Sequence, residues 1–191
     1  MLETLLEYDR ELFLFLNNLG GSGWDDFWLF VTNKWSSIPV YLLLLLLSLK
    51  QFGPKRTLMV LMVVTLMILS TDQLANFIKY GVQRLRPCFD TDVNELMRQV
   101  KDACENRGRF GYFSAHAANS FAVAIFFTGL LRSMYAQIGI FLIVWAIFIA
   151  YSRIYIGVHF PLDVLSGMLI GALFGWLFAK LTIFAVHKFP L

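Results

Sequence analysis

Five apolar runs at or near the length of a bilayer crossing leave this chain few folds to choose from. They cover about residues 36–49, 58–75, 117–131, 136–151 and 162–186. The hydrocarbon core of a bilayer is about 30 Å thick, and a helix crosses it with about 20 apolar residues. Backbone polar groups in lipid must be satisfied within the segment, which selects helices over irregular chain. The runs lack the 3.6-residue alternation of a soluble amphipathic helix. With 15% of its 191 residues charged and 58% hydrophobic, the chain has too few charges to coat a globular surface. The reading is an all-α, multi-pass transmembrane bundle, one domain over residues 1–191. It has about five full spans, or six if the N-terminal helices insert.

Residues 1–34 are acidic and only moderately apolar. Glu3, Glu7, Asp9, Glu11, Asp25 and Asp26 face Arg10 and Lys34. Gly20, Gly21 and Gly23 break the first helix, and Trp24, Trp28 and Trp35 read as interfacial anchors. This region is expected to lie on the membrane or dip into it. In the last run Gly167, Gly171 and Gly175 recur every four residues, a stripe that lets helices approach closely in a bilayer.

Lys50, Lys55, Arg56, Arg132, Lys180 and Lys188 mark one side of the membrane, which the positive-inside rule makes cytoplasmic. The 86–113 loop then lies outside the cytoplasm. That loop and the helix end before it are themselves basic, with Lys79, Arg84, Arg86, Arg98, Lys101, Arg107 and Arg109 against five acids. Several of these cations are better explained as ligands for an anion. On an extracytoplasmic face Cys88 and Cys104 can pair, closing the 88–104 loop for about 3 kcal/mol; two reduced thiols are the alternative. The basic residues are not gathered on an amphipathic helix, so nucleic acid is not an expected partner.

Polar groups cluster at three membrane edges, all on that same side. The first cluster is Lys79 through Arg86 and Pro87, with the two cations two helical turns apart and so on one face. The second is Phe113-Ser114-Ala115-His116, where Ser114 suits the N-cap of the third run and leaves backbone N–H groups directed at the site. The third is Ser152-Arg153 through His159 to Asp163. His159 and Asp163 are four apart, and Pro161 suits a first helical turn. Asp163 is therefore placed to receive the ring N–H of His159, fixing its tautomer. Taken singly, Lys79 and Arg86 would be read as snorkelling to headgroups. Together the clusters bring three cations, two histidines and an aspartate to one face.

The pattern Lys79-x6-Arg86-Pro87, Ser114-x-His116 and Ser152-Arg153-x5-His159-x3-Asp163 resembles the three-part signature of the type 2 phosphatidic acid phosphatase (PAP2) superfamily. Phe113 and Ala115 stand where that family usually reads Pro and Gly. The resemblance implies a lipid phosphatase of a bacterial cell (inner) membrane. His159, oriented by Asp163, would be the nucleophile and His116 the proton donor. Lys79, Arg86, Arg153, Ser114 and the backbone at Ala115 would bind the phosphoryl oxygens. No metal or other cofactor is implied. The substrate would be a membrane lipid phosphate: undecaprenyl diphosphate, phosphatidylglycerol phosphate, phosphatidic acid or a lipid A phosphate. Two other readings use the same residues. One is a transporter or channel with Arg, His and Asp along a path, and the other is a non-catalytic phospholipid-binding protein.

Overall fold

The computed structural model describes residues 1–101, 103–105, 107–132, 135 and 137–188, together with all side chains in these ranges except that of residue 187. The predicted start of the fourth span, Ala136, lies outside them. Among these residues six α-helices follow in order: α1 Leu2–Asn18, α2 Asp25–Thr32, α3 Ile38–Val82, α4 Ala115–Leu131, α5 Ile138–Tyr155 and α6 Pro161–Lys188. Among the described residues there is no strand, only an isolated bridge between Leu85 and Phe110.

At 1.5 Å per residue, 45 continuous residues in α3 would reach about 68 Å, twice the hydrocarbon core. The chain instead reverses at Gly53, whose φ of 72° lies outside the helical region, and Pro54 follows. Ser48 and Leu61, Leu45 and Val64, and Tyr41 and Ile68 line one cavity together. Residues equidistant from the break meet, so the two arms run antiparallel as two spans. With α4, α5 and α6 these make five crossings. Leu42, Leu46, Met62, Leu66, Phe141, Val144, Leu169, Leu173 and Trp176 are exposed on α3, α5 and α6. Such an apolar exterior belongs to an integral-membrane protein.

Helix α4 is the axis of the bundle. Ala117, Ala118, Phe121, Ala122, Ala124, Phe126 and Leu131 are all buried, and it packs on α3, α5 and, most extensively, α6. The glycine stripe of α6 explains that last pairing. A Cβ at Gly167 would lie 2.5 Å from the Ser114 carbonyl oxygen, and one at Gly175 or Gly171 would collide with the carbonyls of Ala122 and Ala118. Two backbones in such contact fix the register of α6 against α4, and so the placement of Asp163 beside Ser114.

The N-terminal region is more integral than its composition suggests. Asp9, Phe13 and Asn17, one helical turn apart, are the buried face of α1. Asn17 donates to the Tyr155 carbonyl at 2.8 Å and accepts from the Arg98 N–H at 2.8 Å. Helix α1 thus lies across the ends of α5 and α6 on the site's side of the bundle. Trp24 and Trp35 are exposed as anchors should be, but Trp28 packs against Phe148, Tyr151 and Tyr155 of α5. It packs against the bundle where the other two stand exposed.

Cys88 and Cys104 form a disulfide with Cα atoms 6.4 Å apart. It ties the loop between α3 and α4 beneath Ile156 and Val158. Cys88→Ser is expected to lower unfolding stability by about 3 kcal/mol in the chain-entropy account, read as a drop in detergent melting temperature. An unchanged melting temperature would show that the loop is held without the bridge.

Candidate active site

All three polar clusters meet at one end of the bundle, built from the end of α3, the loop after it, the start of α4 and the α5–α6 connection. Gly53, Lys55, Arg56 and the start of α5 lie at the other end.

Helix α5 carries Arg153 in its last turn, and the chain turns through Gly157 to start α6 at Pro161. His159 therefore sits two residues before the helix, in the turn. Its Nδ1 is 3.5 Å from Asp163 Oδ2, a contact without a formed hydrogen bond. That oxygen accepts the Phe160 N–H at 3.0 Å. Catalytic hydrogen bonds commonly tighten only when substrate is in place. On the other side of the ring, Arg86 Nη1 lies 3.0 Å from Nε2. A guanidinium has only donors, so Nε2 carries the lone pair and Nδ1 the proton that faces Asp163. Burial first, then the charges of Arg86, Arg153, Lys79 and His116, hold this imidazole well below its usual range. It stays neutral at physiological pH, the form in which Nε2 can attack an electrophile.

Arg86 does not share a helical face with Lys79. Gln83 takes a left-handed conformation and ends α3 at Val82, so Arg86 lies in an extended segment. There its Nε donates to the Gly108 carbonyl at 2.7 Å and Nη1 to that of Val158 at 3.0 Å. The seven-residue spacing assumed a continuous helix, and the turn at Gln83 replaces it. Arg86 still reaches the site, from the loop side. Burial and the nearby charge of Arg107 push it down to about 10, with Asp163 opposing, and it remains a cation.

Ser114 is the residue before α4, as its type suggests, but its hydroxyl makes no cap bond. Its N–H donates to the Asp163 carbonyl at 2.9 Å, while Oγ is buried without a partner among the described residues. Arg153 is 1% exposed; Nη1 donates to Thr32 Oγ1, and Nε has no partner. Buried polar atoms are rarely left unsatisfied, so these two are open to a ligand. Ala115 and His116 open α4, and His116 lines a cavity of about 480 Å³ with Tyr41, Ile68, Asp72 and Asn119. A second, apolar cavity of about 350 Å³ shares Tyr41, Ile68 and Asn119 and continues along Leu44, Val64, Val123 and Phe127. The two form a seam from His116 into the membrane-spanning part of the bundle.

Of the basic loop residues, three are spoken for. Arg98 pairs with Asp25 at 2.7 Å, Lys101 with Asp26, and Arg84 with Asp9 and Asp163. The acidic N-terminal region thus neutralises much of the loop. Arg86, Arg107 and Arg109 have no carboxylate partner among the described residues; Arg109 is exposed, so the sheltered cations of the loop left for an anion are Arg86 and Arg107. Arg107, pushed down by burial, was not singled out in the sequence, and neither were Arg84 and Asp9. Arg84 stands two residues before Arg86, yet only the fold shows that it faces carboxylates. Asp163 is also not the sole carboxylate nearby: Asp9 is 4% exposed and one guanidinium away. The arrangement can hold a tetrahedral oxyanion between several cations and place its central atom against a neutral imidazole.

The sequence model of the PAP2 superfamily matches residues 57–185. The chain is 37% identical over 98% of its length to a lipid A 4′-phosphatase of Bacteroides thetaiotaomicron, covering 81% of that protein. It is 30% identical over 96% of its length to one of Porphyromonas gingivalis, covering 77% of it. The crystal structure of Aquifex aeolicus LpxE superposes with a TM-score of 0.61 at 27% identity, over 89% of this chain and 93% of that one. The fold is also that of a transmembrane PAP2-type phosphatidylglycerolphosphate phosphatase from Bacillus subtilis, with a TM-score of 0.72 at 18% identity, over 98% and 90% of the two chains. The chain belongs to the PAP2 superfamily and is an integral-membrane lipid phosphatase.

Proposed function

We propose that this protein removes the 4′-phosphate of lipid A, through a phosphohistidine formed on His159. One observation carries the chemistry: the His159 ring is held between the Asp163 carboxylate on Nδ1 and the Arg86 guanidinium on Nε2. The substrate rests on the similarity to two lipid A 4′-phosphatases over nearly the whole chain. The seam running from His116 between the arms of α3 and α4 suits an acyl chain entering from the bilayer. In chemistry of this kind Nε2 attacks phosphorus, the N–P bond forms, and the P–O bond to the sugar breaks. His116 supplies the proton to the leaving alcohol, then takes one from the water that hydrolyses the intermediate. Lys79, Arg86, Arg153, the Ser114 hydroxyl and the Ala115 backbone stabilise the oxygens of the five-coordinate state. Arg107 joins this set on its position.

The membrane is the bacterial inner membrane, with the site on the periplasmic side. The cluster of Lys50, Lys55, Arg56 and Arg132 at the opposite end supports that orientation, as does the disulfide at the site's end. The whole chain acts as one catalytic domain.

No step needs a metal. Orthovanadate, which copies the five-coordinate phosphorus, is expected to inhibit phosphate release at micromolar concentration, while EDTA leaves the rate unchanged. Loss of activity in EDTA, restored by a divalent ion, would contradict this mechanism. Undecaprenyl diphosphate, phosphatidylglycerol phosphate and phosphatidic acid are the comparison substrates. A higher kcat/KM on any of them than on lipid A would reassign the substrate.

A further inference from the structure

Asp163 is fully buried, and a buried carboxylate is costly unless an opposite charge and hydrogen bonds compensate it. Its Oδ1 accepts from Arg84 Nη1 at 2.8 Å. The other amino group of Arg84 donates to Asp9 Oδ2, and the guanidinium lies 4.3 Å from the centre of the Phe160 ring. Both arms and the face of Arg84 are therefore occupied by the wall behind His159, which leaves this cation poorly placed to hold phosphate.

Asp9 has a second task. Its Oδ1 accepts the Leu162 N–H at 2.8 Å, an otherwise orphaned donor in the first turn of α6, where negative charge is favoured. One turn further along α1, Phe13 meets Phe160 edge-on at 5.3 Å. Helix α1 thus grips the residue on each side of Pro161, and the α6 turn that carries Asp163, from outside the family-matched segment of 57–185.

We propose that Arg84, anchored by Asp9, is a positioning residue that holds Asp163 charged and aimed at His159 Nδ1. The inference rests on the reading of His159 as the nucleophile. Without the guanidinium, Asp163 would take up a proton or turn to another donor, and either ends its hold on the imidazole. The effect acts on the chemical step and leaves phosphate binding alone.

The test uses full-length protein purified in detergent, with phosphate release from lipid A measured as kcat and KM. Arg84→Gln is expected to lower kcat by about 10- to 100-fold, the range seen when supporting groups behind a reactive centre are removed, with KM within about twofold. Arg84→Lys keeps the charge but cannot span both carboxylates and should fall between. Asp9→Asn should lower kcat by a smaller factor, and by nothing further once Arg84 is Gln. In an Asp163→Asn background, Arg84→Gln should cost less than about twofold, because groups acting as one unit are non-additive. The same factor in both backgrounds would overturn the proposal, as would a rise in KM at constant kcat, which would make Arg84 a phosphate ligand. An unchanged kcat in Asp9→Asn would remove α1 from the device. Melting temperatures identify any variant that fails to fold; should Arg84→Gln be one, Asp9→Asn and Arg84→Lys in the two backgrounds decide the same question. If His159→Ala keeps its turnover, the underlying reading has failed; if that variant is dead and the effects are multiplicative, only the positioning role has.

Discussion

His159→Ala is expected to reduce phosphate release from lipid A by at least about a thousandfold, a loss typical of removing a covalent nucleophile. The protein should remain folded. Among the described residues the His159 side chain makes no hydrogen bond beyond its Nε2 contact with Arg86, and Arg86 keeps the carbonyls of Gly108 and Val158. Its chain neighbours Val158 and Phe160, and Val164 in the first turn of α6, are all buried. Alanine there removes an imidazole without exposing the core. The measurement is single-turnover phosphate release, with the melting temperature in detergent as the check on folding. Near-normal turnover by a folded variant would remove His159 from the nucleophile role. Turnover lost together with the fold would make the residue structural.

The second large effect is on assembly. Gly171→Leu is expected to abolish recovery of folded protein, because the first added atom already collides with the Ala118 carbonyl, carbon and Cα. Overpacking a core costs about 1–3 kcal/mol when side chains can move, and here the obstacle is backbone. Helix α4 cannot retreat, since its other faces are packed by α3 and α5. Gly81 provides the control: it is helical, and nothing lies within 4 Å of a Cβ built there. Gly81→Ala should be neutral or stabilising by about 0.5–1 kcal/mol. Size-exclusion profiles and melting temperatures of the two variants separate the cases. A folded Gly171→Leu protein with wild-type stability would show that α6 is not locked against α4.

The spans and the glycine stripe were legible because their physics is local. A run of leucines declares a crossing wherever it occurs, and Gly167, Gly171 and Gly175 can be placed on one face by counting. The division of α3 into two crossings was legible for the same reason, as two apolar runs, 36–49 and 58–75, with Lys50, Lys55 and Arg56 between them. His159, Asp163, Arg153, Ser114 and His116 could be brought to one end because each falls at the edge of an apolar run. What stayed hidden was long-range. That Arg86 leaves the helix depends on Gln83 turning left-handed, a conformation that no residue pattern demanded. The facing of Arg84 toward carboxylates and Arg86 toward the imidazole, two residues apart, follows from which elements flank an extended segment. The burial of Asp9, Phe13 and Asn17 did leave a trace in their four-residue spacing. Their target, the first turn of α6, lies about 150 residues on, beyond the reach of any periodicity.

Mass analysis of lipid A after incubation with the purified protein in detergent decides whether its 4′-phosphate is the substrate. The expected result is time-dependent loss of one phosphoryl group, located at the 4′ position by fragmentation, with inorganic phosphate released in equal amount and none from His159→Ala. Lipid A recovered intact, while phosphatidic acid or undecaprenyl diphosphate is dephosphorylated under the same conditions, would contradict it.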